Sequence, residues 1–170
     1  MFAALSPEPL VVSALPSVSA LPSSSAHVLI VDDERHIAEM IQSLLGRYGY
    51  GAVLAESGEE ALKVLAERDF DAIITDHYLE CGQLNGLDLV MAVQAMDRKT
   101  PFFVATACVD DDILDSLRDH PLVRELFRKP FDIMVLLKHV SAAIEEAQAR
   151  RANGACPVLD EPRERTVLGG

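Results

Sequence analysis

The chain has 170 residues, with 27 acidic against 15 basic side chains and a formal charge of −12, an excess that excludes a general nucleic-acid binder, whose hold on phosphates needs a basic surface. Hydrophobic residues make up 49%, enough for one substantial core in one domain with spare chain at its ends, and the odd set Cys81, Cys108 and Cys156, without a CxxC pair, argues for reduced thiols over a disulfide framework. No apolar stretch reaches the length of a membrane span and residues 1–21 carry no basic segment, so no membrane contact and no secretory signal are expected, and a cytoplasmic location follows.

Residues 1–26 are rich in Pro, Ser, Ala and Leu, with Pro7, Pro9, Pro16 and Pro22 breaking any helix, and read as a disordered extension. A domain over residues 27–152 follows. His27, Val28, Leu29, Ile30 and Val31 form a buried strand that runs into Asp32, Asp33 and Glu34. Ile37, Met40, Ile41, Leu44 and Leu45 then recur at helical spacing, and Gly46, Gly49 and Gly51 stop that helix. A second strand over 52–55 leads to Ser57 and Glu60, a capping box opening a helix that buries Ala61, Leu62, Leu65 and Ala66.

Residues 72–79 are an apolar run interrupted by Asp76, and read as a third buried strand with that acid at its end. A loop reaches Asn85 and Gly86, and a helix over 87–96 buries Leu87, Val90 and Val93. Residues 102–106 form a fourth strand after Pro101, which a strand tolerates at its start. Asp110, Asp111 and Asp112 look like a metal cluster, but ahead of Ile113, Leu114 and Leu117 they are more simply a helix cap with favourable dipole charges. Residues 122–127 form a fifth strand ending at Arg128, Lys129 and Pro130. A last helix over 132–151 buries Ile133, Leu136, Leu137, Val140 and Ile144, and residues 153–170 read as a flexible tail.

Five strands alternating with five helices predict an α/β fold, a flavodoxin-like doubly wound five-stranded parallel sheet of (βα)5 type. In such a sheet the C-terminal strand ends line one edge, where ligand sites gather. Asp32, Asp33, Asp76, Thr106 and Lys129 all end strands. Each has an ordinary reading alone: cap, β-former or solvated charge. Together, three carboxylates call for a hard divalent cation such as Mg²⁺, while an ammonium and a hydroxyl suit a phosphoryl group transferred to Asp76.

On Val31-Asp32-Asp33-Glu34, Ile74-Thr75-Asp76, Ala105-Thr106-Ala107 and Lys129-Pro130-Phe131, in that order and each after an apolar strand, the chain resembles the receiver domain of two-component response regulators. The resemblance implies that Asp76 is the phosphoacceptor, taking its phosphoryl group from a phosphohistidine on a sensor histidine kinase or a histidine phosphotransfer protein. It implies Mg²⁺ held by Asp33, by Asp32 mainly through water, by Asp76 and by the Tyr78 backbone carbonyl. Lys129 would pair with Asp76 and then with the phosphoryl group, across a cis Lys129–Pro130 bond, and Thr106 would move to the phosphoryl oxygen and reposition the loop into the fourth helix.

The sequence departs from the pattern at Leu126, where an aromatic switch residue is usual, at Glu80 in place of a proline, and over residues 81–85, which lengthen the path to Gly86. Tyr78 is bulky enough to shield an acyl phosphate from water. With no second globular pattern after Arg151, the expectation is a stand-alone receiver that switches protein binding and is no conventional turnover enzyme. Its downstream protein is unknown, and the face of the fourth helix, fifth strand and fifth helix is open to self-association. The alternatives are a phosphorelay intermediate and a scaffold that takes no phosphate. A haloacid-dehalogenase-type hydrolase would need an acid where Tyr78 stands, and a flavodoxin's phosphate would be repelled by Asp32, Asp33 and Glu34.

Overall fold

Apolar runs with no polar alternation can be strands only where both faces are covered, and the chain covers them with helices. The computed structural model describes residues 26–80, 82–107 and 110–152, the side chains of 150–152 excepted. In order these form β1 (His27–Val31), α1 (Arg35–Arg47), β2 (Gly51–Ala55), α2 (Gly58–Glu67), β3 (Ala72–Asp76), α3 (Gly86–Ala95), β4 (Phe102–Thr106), α4 (Asp111–Arg118), β5 (Val123–Arg128) and α5 (Ile133–Ala152). The strands make one parallel sheet in the order β2-β1-β3-β4-β5. This is the expected flavodoxin-like doubly wound (βα)5 fold.

Strand burial follows position in the sheet. β3 and β4 are buried throughout, whereas the edge strands β2 and β5 are mostly half-buried. One face packs Val28, Ile30, Ile74 and Phe103 against Ala38, Ile41 and Leu45 of α1 and Leu136, Leu137, Val140 and Ile144 of α5. The other packs Leu29, Val31, Ile73, Phe102 and Val104 against Leu65 of α2, Leu89, Val90 and Val93 of α3 and Leu117 of α4. A one-residue irregularity pairs Phe102 with Val123 but Phe103 with Glu125, so that Val104 faces Leu126 and Thr106 faces Arg128.

Several local expectations shift. Ala38, Ile41 and Leu45 centre the buried arc of α1, which leaves Met40 at its edge and exposed, and Ala66 is likewise exposed on α2. Ser57 caps α2 by accepting the Glu60 N–H at 3.2 Å, but the Glu60 carboxylate accepts from Glu56 rather than from Ser57. The reciprocal box lies at α3, where Asn85 accepts from Leu87 and Asp88 while Asp88 accepts from Asn85. Asp110 caps α4 as expected. Ala26, assigned above to the extension, is buried and accepts the Gly51 N–H at 2.9 Å. The expectations for residues 1–25 and 153–170, and for Cys81, Cys108 and Cys156, lie outside the described residues.

Candidate functional site

The order of the sheet reverses between β1 and β3: from β1 the chain crosses to β2 on one side, and from β3 to β4 and β5 on the other. A crevice forms at such a reversal, beyond the strand ends. Asp32 follows β1 and Asp76 ends β3, two strands in direct register through Val31 and Thr75. Ligand oxygens of Asp32, Asp33 and Asp76 all lie within 4.8 Å of one another. Asp32 and Asp76 are only 5% and 7% exposed, so water alone does not screen their repulsion.

Each acid is aimed by backbone. Asp32 accepts the Glu34 N–H at 2.9 Å, Asp33 the Glu80 N–H at 3.1 Å, and Asp76 Oδ1 the Tyr78 N–H at 3.1 Å. The Lys129 ammonium bonds to Asp76 Oδ2 and stands 3.7 Å from Glu34 Oε1. Its own N–H donates to the Thr106 carbonyl at 2.8 Å, tying the end of β5 to the end of β4, and the Lys129–Pro130 bond is cis. Thr106 is fully buried in the strand beside β3, where Ala105 is in register with Asp76.

The charges respond accordingly. Burial raises the Asp32 carboxyl above its ordinary value, with Asp76 and Glu34 adding to the effect and the Glu34 N–H and Lys129 opposing it. Burial disfavours the Lys129 ammonium, but the hydrogen bond and charge of Asp76, with Asp32 and Glu34, outweigh it and hold the amine above its ordinary value. Among the described residues one ammonium thus serves Asp76, Asp32 and Glu34, with Asp33 clustered beside them. That deficit of positive charge, with an all-oxygen donor set, fits a hard divalent cation.

Tyr78 lies two residues past Asp76 and is 55% exposed, its ring edge-on to His77 at 5.0 Å between centroids. His77 is buried and its Nδ1 has no hydrogen-bond partner among the described residues; burial lowers its proton affinity, with Asp76 and Asp88 partly opposing. Leu126 packs with the α2–α3–α4 face of the core, while Phe127 points to the opposite face, its ring 5.6 Å from both Phe131 and His139. Because neighbouring strand residues point to opposite faces, Phe127 cannot stand in for an aromatic at 126.

Sequence reasoning missed two contributors. Glu34 is a second partner of Lys129, and the run of three acids was its only signal. Gly86 opens α3 so close to β3 that a Cβ there would lie 2.8 Å from the Asp76 carbonyl oxygen and from His77 Cα. A glycine ahead of a helix suggests a turn, and nothing local reveals that contact.

The response regulator receiver domain family matches residues 28–141. A transcriptional regulatory protein, YkoG, of Bacillus subtilis (strain 168) is 31% identical over 121 residues, covering 71% of this chain and 51% of that protein. A response regulator receiver protein of Anaeromyxobacter sp. (strain Fw109-5) is 36% identical over 98 residues, covering 58% and 40%. The chain therefore spans about half or less of the length of these curated relatives. Among solved structures, the response regulator protein TrrA of Thermotoga maritima, in complex with Mg(2+)-BeF, superposes with a TM-score of 0.60 at 26% identity, covering 69% of this chain and 98% of that one.

Proposed function

Since the chain belongs to the response regulator receiver domain family, we propose that it accepts a phosphoryl group on Asp76 from a phosphohistidine of a sensor histidine kinase or phosphotransfer protein and so switches its binding to another protein. The observation that carries this reading is the convergence of Asp32, Asp33, Asp76 and Lys129 on one strand-end crevice. Receiver domains are signalling modules and not conventional turnover enzymes. No helix among the described residues is long and apolar enough to cross a membrane, which is compatible with the cytoplasmic location proposed.

Mg²⁺ would be held by Asp32, Asp33, Asp76 and the Tyr78 carbonyl, and when bound it neutralises the clustered acids and the phosphoryl oxygens. One Asp76 oxygen forms the new bond to phosphorus as the phosphorus–nitrogen bond of the donor breaks and its imidazole departs. Lys129 leaves the carboxylate for the phosphoryl oxygens, where transferred charge accumulates, and the Thr106 hydroxyl donates a further hydrogen bond. Moving Thr106 draws on the loop that follows β4, giving a two-state element biased by a local charge. A second reading, a receiver-like scaffold that takes no phosphate, is supported by Leu126, which puts no aromatic ring on the Thr106 side of β5.

Incubation with acetyl phosphate and Mg²⁺, followed by intact mass, tests the central step. Wild type should gain one phosphoryl mass and Asp76→Asn none. No gain in wild type, or the same gain in both, refutes it.

A further inference from the structure

Besides Asp76 and Asp88 at its own two ends, two carboxylates from other elements hold the described residues of the loop between β3 and α3, and only one of those two belongs to the acid cluster. At the cluster, Asp33 Oδ2 accepts the Glu80 N–H at 3.1 Å. At the other, Glu59 Oε1, on the first turn of α2, accepts the Gln83 N–H at 2.7 Å. The approach between them is close. Gly82 has φ 138° and any Cβ there would run into the Glu59 carboxylate, while a Cβ on Gly58 would lie 2.8 Å from Leu84 Cβ and 3.2 Å from the Leu84 carbonyl. The Glu59 carboxyl is held below its ordinary value by N–H groups of Gln83, its own residue and Leu84, and by Ser57, so it meets the loop as an anion. Beyond Gln83 the loop closes on itself, with the Gly86 N–H donating to the His77 carbonyl at 2.9 Å. Tyr78 and Glu80, which address Asp76 and Asp33, thus lie on a segment whose far end is fixed by α2.

We propose that Glu59 is a positioning residue: by clasping Gln83 it fixes the loop that aims Asp33 and the Tyr78 backbone, and thereby sets the affinity of the acid cluster for a divalent cation. It rests on the reading above only in taking Asp32, Asp33 and Asp76 as the cation site. Groups that orient ligands without touching the metal commonly control affinity about 10-fold or more.

The test is titration with Mg²⁺ alone, followed by the amide resonances of Glu80 and Gly86, on wild type, Glu59→Gln, Glu59→Asp and Gly82→Ala. Asp keeps the charge but is one methylene too short to reach Gln83, and Gly82→Ala pushes the loop off Glu59 from the other side. The clasp predicts a dissociation constant raised about 10-fold in Glu59→Asp and Gly82→Ala and less in Glu59→Gln, whose amide oxygen still accepts the Gln83 N–H, with thermal melts showing each folded. If Gln weakens binding and Asp does not, Glu59 acts by charge at a distance and the clasp is overturned. Wild-type affinity in Glu59→Asp and Gly82→Ala overturns it equally. Should wild type itself fail to bind Mg²⁺, the cation-site reading falls and the clasp with it, an outcome distinct from unchanged variants on a binding wild type.

Discussion

Gly86→Ala applies the smallest steric change to the reacting strand. The new methyl would meet the Asp76 carbonyl oxygen and His77 Cα, both at 2.8 Å and both backbone, so no side chain can swing aside to relieve the contact. Either α3 or the end of β3 must move by several tenths of an ångström. Overpacking of this kind costs about 1–3 kcal/mol, offset by about 0.4–1 kcal/mol because alanine restricts the unfolded chain more than glycine does. A net loss of up to about 2.6 kcal/mol should lower the melting temperature by up to several degrees in a chain of this size. Function should suffer more than stability, since displacing Asp76 misaligns it with the groups around it, and small misplacements cost up to about 10²-fold in rate. The assay is urea unfolding alongside the initial rate of acetyl phosphate labelling. Wild-type stability together with a wild-type rate would refute the close approach of α3 to β3.

Lys129→Ala leaves Asp76, Asp32 and Glu34 without their shared ammonium. It should cost roughly 1–3 kcal/mol in metal-free melts, and Mg²⁺ should raise the melting temperature of the variant more than that of wild type; an equal response would count against charge relief. Tyr78→Ala should shorten the lifetime of the phosphorylated form by removing the ring beside the acceptor, and an unchanged decay of the phosphoryl mass would sink the shielding idea. Phe127→Ala, emptying a buried aromatic site between the sheet and α5, should cost about 3–5 kcal/mol in urea unfolding, clearly more than Leu126→Ala on half-buried ground; comparable losses would contradict the assignment of faces. Acid weakens the clasp with a definite sign. Because Glu59 is held below its ordinary value of 4.5, wild type should melt above Glu59→Gln at neutral pH, and that advantage should be present above pH 4.5 and disappear as pH falls through the folded-state value. An advantage that persists in full at acid pH would show that the anion is not what binds the loop.

The sheet was readable because its three inner strands are continuous apolar runs, and an apolar run flanked by helical periodicity has few other uses. The crevice was readable for a related reason: a polar residue where such a run ends, as at Asp76 or Lys129, stands out against its context. Packing detail was not readable in the same way. Met40 fits the helical spacing of α1 as well as Ile41 does, and only the position of the sheet beneath Ala38 decides which is covered. The box at Asn85 and Asp88 uses a shorter acid than the usual pattern. The side of the sheet that Phe127 takes depends on an extra residue near Arg124, which has no sequence mark. Contacts between separate elements, such as Gly86 on β3 and Glu59 on the loop, have no period to betray them.

The three acids and the lysine of the crevice stand at or just past strand ends, Asp32 and Asp33 after β1, Asp76 closing β3 and Lys129 after β5, so the sheet sets their spacing while the connecting segments bring up the rest. Among the described residues the ties between loop and crevice include Tyr78 on Asp76, Glu80 on Asp33 and Gly86 against β3, with Gln83 held on Glu59 beyond them, and it is at those points that a change in the loop reaches the acids.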